Sequence, residues 1–180
     1  FNLSISFMCN KSSDLSIREG LLLVLIVFLL DQLTKEMVYG MFSIGESREV
    51  IKGYFNFTLV MNPGAAFGLF ANLPSEIRRV VLGAVTLGAM SLVFILLRNE
   101  AKGDRMSQIC LYLILGGALG NVIDRFRYDA VVDFLDVYYG TYHWPAFNIA
   151  DSAISVGVCI LLLRLGFFSK KKEEAIVESS

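Results

Sequence analysis

The residues of this chain able to do chemistry are the acids and amides that interrupt its long apolar stretches: Asp31, Asn121, Asp124, Asp133, Asn148 and Asp151. Asp31 lies late in the first apolar segment. Asn121, Asp124 and Asp133 lie at or just past the end of the third, and Asn148 and Asp151 open the fourth. Successive spans alternate in direction, so all six groups gather near one membrane face. An Asp at the centre of a membrane helix costs roughly 2.5–3.5 kcal/mol on insertion scales. A cluster at that cost marks a functional site. The chemistry best supplied is that of paired carboxylates. Two close acids cannot both ionise cheaply, so they share a proton and serve as acid and base to one water.

Individual spacings sharpen the candidates. Asn121, Asp124 and Arg125 fall at i, i+3 and i+4, on one helical face. Asp124 and Arg125 are adjacent, so each is expected to meet a partner elsewhere. Asp31 and Lys35 stand i, i+4 and suit a structural ion pair. Asn148, Asp151, Ser152 and Ser155 share a face of the fourth segment, whose N-terminal dipole favours a carboxylate. Asn148 is the better cap there, which leaves Asp151 for other work. Asp133 sits between Ala130-Val131-Val132 and Phe134-Leu135; partial desolvation should raise its pKa. Asp136 is a weaker candidate of the same kind. On these residues alone Asp124 and Asp133 rank level.

Other chemistries find fewer parts. The only histidine is His143, so there is no H-E-x-x-H metal site, and neither metal nor cofactor is expected. G-x-S-x-G is absent. Ser152 with Lys35 is the main nucleophilic rival. Cys9, Cys110 and Cys159 form no C-x-x-C pair, and no structural disulfide is expected. A net charge of −1 leaves no nucleic-acid footprint.

The elements that must position these groups are membrane helices. The chain is 55% hydrophobic and 18% charged, outside the roughly 45–50% and 25% of soluble domains. A crossing needs about 20 mainly apolar residues. Such segments run over about residues 17–39, 76–98, 106–126 and 148–168. Asp14 is a candidate N-cap for the first, and Pro74-Ser75 starts the second. Gly116-x-x-x-Gly120 permits close helix approach in the third. Residues 1–16 read as a polar lead-in that begins on Phe rather than Met, and residues 169–180 as a basic tail containing Lys170-Lys171-Lys172. The compact Arg98–Arg105 link and that tail place both termini in the cytoplasm by the positive-inside rule. From Glu49 to Met61 apolar residues alternate until Asn62-Pro63-Gly64, which predicts a strand or hairpin within an outer insert of about residues 42–69. Tyr138, Tyr139, Tyr142, His143 and Trp144 suit the membrane–water boundary. The expected fold is an α-helical polytopic membrane protein: four transmembrane helices with a small extracytoplasmic β element.

Five motifs occur in order: Asp31-Gln-Leu-Thr-Lys35, Asn62-Pro-Gly-Ala-Ala-Phe-Gly68, Gly116-Gly-Ala-Leu-Gly-Asn-Val-Ile-Asp-Arg125, Val131-Val-Asp-Phe134 and Phe147-Asn-Ile-Ala-Asp151. Together, over about Leu21 to Leu165, the chain resembles the bacterial lipoprotein signal peptidases (signal peptidase II). The resemblance implies a four-helix aspartic endopeptidase of the bacterial inner membrane with an extracytoplasmic β-cradle. Such an enzyme cleaves just before the diacylglyceryl-modified cysteine of prolipoproteins. By position it places the catalytic pair on Asp133 and Asp151, breaking the tie with Asp124. It makes Asp31, Lys35, Asn62, Gly64, Asn121, Asp124, Arg125 and Asn148 residues that line or support the site. The implied partners are lipid-modified prolipoproteins and membrane lipids, with the enzyme a monomer. Pro63 occupies a variable motif position, and the lead-in before Ile17 is longer than usual. The rival class is a small ion- or proton-coupled transporter using the buried carboxylates. It predicts polar groups through the full bilayer depth, whereas the inner halves of the four segments are almost wholly apolar.

Overall fold

Ser16 opens the first helix. Its hydroxyl accepts from Glu19 N–H while the Glu19 carboxylate accepts from Ser16 N–H, a reciprocal box that satisfies two orphan donors. Asp14, the expected cap, instead accepts from Gln108 Nε2 at 2.9 Å. It ties the lead-in to the third helix. The structure, a computed structural model, describes residues 14–65, 69–99, 101 and 104–178, with helix side chains through residue 164. The remainder of the lead-in, Phe67-Gly68 of the second motif, and the side chains of Lys170–Lys172 lie outside the described residues.

The elements are α1 (Ile17–Met41), β1 (Ser47–Ile51), β2 (Phe55–Asn62), α2 (Ser75–Asn99), α3 (Arg105–Tyr128), β3 (Val131–Tyr139), β4 (Tyr142–His143) and α4 (Ile149–Glu178). The expected hairpin is β1–β2, turned at Gly53 with φ +83°, a conformation that suits glycine. The sheet is larger than the alternation in residues 49–61 implied. β3 and β4 extend it antiparallel in the order β1-β2-β3-β4. Val131 to Tyr139 is rich in β-branched and aromatic residues, which favour strands. From sequence its first half reads only as apolar flanks of Asp133 and its last two tyrosines as membrane-boundary residues, with no strand predicted there. Asp129, left-handed at φ 55°, ends α3 and turns the chain into β3. Val38 of α1 packs with Leu59, Val132 and Phe134 to seat the sheet on the helices.

Apolar residues face outward and polar ones inward. Leu21, Leu25, Leu29 and Leu33 on α1, and Val80, Leu87 and Phe94 on α2, are exposed, whereas Asp31, Lys35 and Asp124 are buried. A soluble domain shows the reverse; a hydrocarbon surround would make this arrangement favourable. Among the described residues, α2 and α3 are long and apolar enough to cross a membrane by length and composition. α1 is interrupted by Arg18, Glu19, Asp31, Lys35 and Glu36.

Glycines let α3 sit close to both neighbours. A Cβ on Gly116 would lie 2.8 Å from Val27 Cβ of α1. One on Gly117 would lie 2.5 Å from the Ala150 carbonyl oxygen and 2.9 Å from Ile154 Cγ1 of α4. Gly117→Leu should therefore push α4 away from α3. An overpacking cost of about 1–3 kcal/mol or more follows, read as a lower unfolding midpoint in detergent. An unchanged midpoint would show that the two helices do not meet at this glycine.

Candidate active site

The chain path brings the two candidate acids together. β3 carries Asp133 away from α3, the turn at Gly140 reverses the chain, and Phe147 returns to bridge Leu135. Asn148 therefore arrives beside Asp133 just as α4 begins. Asn148 Oδ1 accepts from Asp151 N–H at 2.9 Å, and Asn148 N–H donates to Asp151 Oδ2 at 3.3 Å. That is a capping box with Asp151 at the third helical position. The cap expected at Asn148 is present, but it also engages Asp151 rather than leaving it unattached. Asn148 Nδ2 in turn donates to Asp133 Oδ1 at 2.7 Å. One asparagine thus touches both carboxylates.

Three amides surround the pair. Besides Asn148, Asn62 Nδ2 at the end of β2 donates to Asp133 Oδ2 at 3.0 Å. Asn121 Nδ2 of α3 donates to Asp151 Oδ1 at 2.8 Å. Gly64 N–H fixes Asn62 by donating to its Oδ1, and the Gly64 carbonyl accepts from Arg125 Nη2 at 3.1 Å. Asp133, Asp151, Asn62, Asn121 and Arg125 line one cavity of about 710 Å³, with Trp144, Pro145 and Phe147 along another wall. Trp144 was expected only as a boundary aromatic. Burial and the nearby Asp151 charge push the Asp133 carboxyl up to about 7. Both causes penalise its ionised form, as the flanking apolar residues led one to expect.

Asp31, Lys35 and Asp124 form a second, fully buried group behind the cavity. Lys35 Nζ lies 2.8 Å from Asp31 Oδ2 and 2.8 Å from Asp124 Oδ2. Asp31 Oδ1 accepts from Ala150 N–H at 2.9 Å, and Asp124 Oδ2 from Val132 N–H at 3.1 Å. The Asp31–Lys35 pair is present as spaced, and Asp124 and Arg125 do meet separate partners. Gln32, which no sequence argument singled out, donates to Asp124 Oδ1 at 2.9 Å and to Asp31 Oδ2 at 3.2 Å. Its position between the two charged residues of the first motif was the only signal. Asp124 is thereby tied to α1 and β3 and does not line the cavity. The Ser152–Lys35 pair is not assembled. Ser152 Oγ donates to the Asn148 carbonyl, and Lys35 is held by Asp31, Asp124 and Asn121. Arg125 Nε is buried without a hydrogen-bond partner among the described residues. Its Nη1 and Nη2 are held by the carbonyls of Asn121 and Gly64.

Known proteins resemble this chain in sequence and fold. The family model described as signal peptidase (SPase) II matches residues 23–167. A protein named lipoprotein signal peptidase from Syntrophus aciditrophicus (strain SB) is 49% identical over 150 residues, covering 83% of this chain and 92% of that one. A protein of the same name from Desulforapulum autotrophicum is 45% identical over 142 residues, covering 79% and 88%. A solved structure described as a bacterial membrane enzyme, determined by the in meso method at 2.3 Å resolution, superposes with a TM-score of 0.79 at 31% identity. It covers 88% of this chain and 94% of its own. None of these points to a transporter.

Proposed function

Because this chain belongs to the signal peptidase II family, we propose that Asp133 and Asp151 are its catalytic pair and that it removes signal peptides from diacylglyceryl-modified prolipoproteins. The observation that carries the assignment is the convergence of both acids on one cavity through a single asparagine. The two acids hold a water between them and share one proton. Asp151 stands at a helix N-terminus and accepts two N–H groups, and it is assigned the part of the base. It takes a proton from the water as the water attacks the scissile carbonyl. Asp133, protonated, donates to the carbonyl oxygen and stabilises the charge that develops there. The proton that Asp151 took from the water then passes to the leaving amine, Asp133 keeps its own, and the new carboxylic acid is released. Arg125 Nε, a donor without a partner, is placed to take a substrate backbone carbonyl.

We further place α1 and α4 beside α2 and α3 as membrane spans, both termini in the cytoplasm, and the sheet on the outer face of the inner membrane. The acyl chains of the substrate then stay in lipid while its extended peptide enters under the sheet. The protein acts as a monomer, and its acid pair works without a metal or cofactor. The direct test is cleavage of a synthetic prolipoprotein peptide with and without diacylglyceryl on its cysteine. Cleavage just before the modified cysteine is expected, with little or none of the unmodified peptide. Equal cleavage of both would remove the lipid from the recognition.

The shared proton sets a pH dependence. Asp133 holds its proton up to about 7. Turnover should therefore fall as pH rises through that value, because the acid that donates to the carbonyl oxygen is lost. A turnover number constant from pH 6 to pH 9 would contradict the role given to Asp133.

A further inference from the structure

We propose that Lys35 is a positioning residue for the catalytic pair: its ammonium group fixes the side-chain amide of Asn121 so that the amide N–H is presented to Asp151. This rests on the reading of Asp133 and Asp151 as the pair and adds a residue that touches neither. Lys35 is 2% exposed. Its ammonium has three donors and no acceptor, and three acceptors surround it: Asp31 Oδ2 and Asp124 Oδ2, each at 2.8 Å, and Asn121 Oδ1 at 3.0 Å. The Asn121 atom that faces it must be the oxygen. Asn148 Nδ2 aims a second donor at the same oxygen from 3.3 Å. The amide nitrogen is left pointing at Asp151 Oδ1, 2.8 Å away. Turning the amide over would set its NH₂ against the ammonium and its oxygen against a carboxylate.

The other two amides at the pair need no lysine. Asn62 is fixed by Gly64 N–H and Asn148 by Asp151 N–H. Lys35 therefore acts on the pair at one point, through Asn121. The charged groups around that point are Asp31 from α1, Asp124 and Arg125 from α3, Asp133 from β3 and Asp151 itself from α4. Without the ammonium the amide can rotate, and Asp151 loses one of the two N–H groups that favour its charged form. The water-activating carboxylate is then no longer held in line, and turnover falls without loss of substrate binding.

A purely structural lysine would only neutralise Asp31 and Asp124, and one set of variants separates the two roles. The triple change Lys35→Met, Asp31→Asn and Asp124→Asn removes all three charges while keeping side-chain size and the acceptors for Ala150 and Val132. Cleavage of a lipidated prolipoprotein peptide is measured from pH 4 to 9. The triple variant should lose about 10-fold or more in kcat, the scale of a misaligned acid or base. Its KM should change little. Asn121→Leu in the otherwise unchanged protein should reproduce both effects, and adding it to the triple variant should cost nothing more. A triple variant with the parent kcat and profile overturns the proposal, and so does Asn121→Leu with the parent kcat and profile. Asn121→Leu decides alone if the triple variant does not fold. Asp133→Asn and Asp151→Asn are run beside them. Activity in those two variants sinks the underlying assignment; their inactivity beside a fully active triple variant sinks only the role of Lys35.

Discussion

Asp133→Asn and Asp151→Asn should each reduce turnover of a lipidated prolipoprotein by roughly 10²–10⁴-fold, the scale on which a general acid or base acts, while the protein still inserts and folds. Asparagine keeps the size of the side chain and one of the two acceptor oxygens. At residue 133 one of the two donors, Asn62 Nδ2 or Asn148 Nδ2, keeps its oxygen and the other faces an amide NH₂, a local cost that does not touch the rest of the fold. What is lost is the exchangeable proton. With Asn at 133 nothing donates an acidic proton to the carbonyl oxygen. With Asn at 151 nothing takes the proton from water. Because the two acids work on one water, the double variant should be no worse than either single one. Asp124→Asn is the informative contrast. Its carboxylate is tied to Lys35, Gln32 and Val132 N–H behind the cavity, so its loss should lower stability more than turnover. Full activity in Asp133→Asn beside a dead Asp124→Asn would reverse the assignment.

The second large effect is on folding. Lys35→Met alone leaves Asp31 and Asp124 buried with no cation between them. Removing one partner of a buried ionic group costs about 3–5 kcal/mol, because the remaining charge has no solvent to turn to. That is a large share of the roughly 5–15 kcal/mol that holds a domain folded. The variant should show a markedly lower unfolding midpoint in detergent and reduced accumulation in the membrane. The pair Arg105–Glu19, with side chains 44% and 49% exposed, supplies the control. Breaking it with Glu19→Gln should leave the midpoint close to that of the parent, because surface pairs contribute little. Equal losses at the two sites would show that Lys35 is far better solvated than its burial implies.

Much of this site is legible in the amino-acid sequence because membrane burial is so costly to acids. Asp31, Asp124, Asp133 and Asp151 stand out against apolar surroundings, and the i, i+4 spacing of Asp31 and Lys35 states their pairing outright. The hairpin shows in the alternation from Glu49 to Met61, which is read from neighbours two residues apart. What sequence spacing does not carry is long-range pairing. Nothing local distinguishes Asp124 from Asp133; only the register that sets Val60 opposite Asp133 and Asn62 opposite Val131 puts Asp133 into the cavity. The third strand hides within an aromatic stretch that also suits a membrane boundary. Gln32 and Trp144 gain their roles from contacts 92 residues away and from a cavity wall respectively. Asp151 illustrates the limit from the other side. Its place after Asn148 reads as either a cap or a catalytic group, and the geometry lets it be both.

The protonation of the acid pair is open to direct measurement. The enzyme, held in lipid nanodiscs without substrate, is titrated from pH 4 to 9 while the infrared carbonyl band of protonated aspartic acid is followed. The carboxylic acid of Asp133 should persist at pH 6, lose its proton at about 7, and be missing from Asp133→Asn. A spectrum that Asp133→Asn leaves unchanged, or one in which residue 133 is already ionised by pH 5, would contradict the shared proton on which the hydrolysis depends.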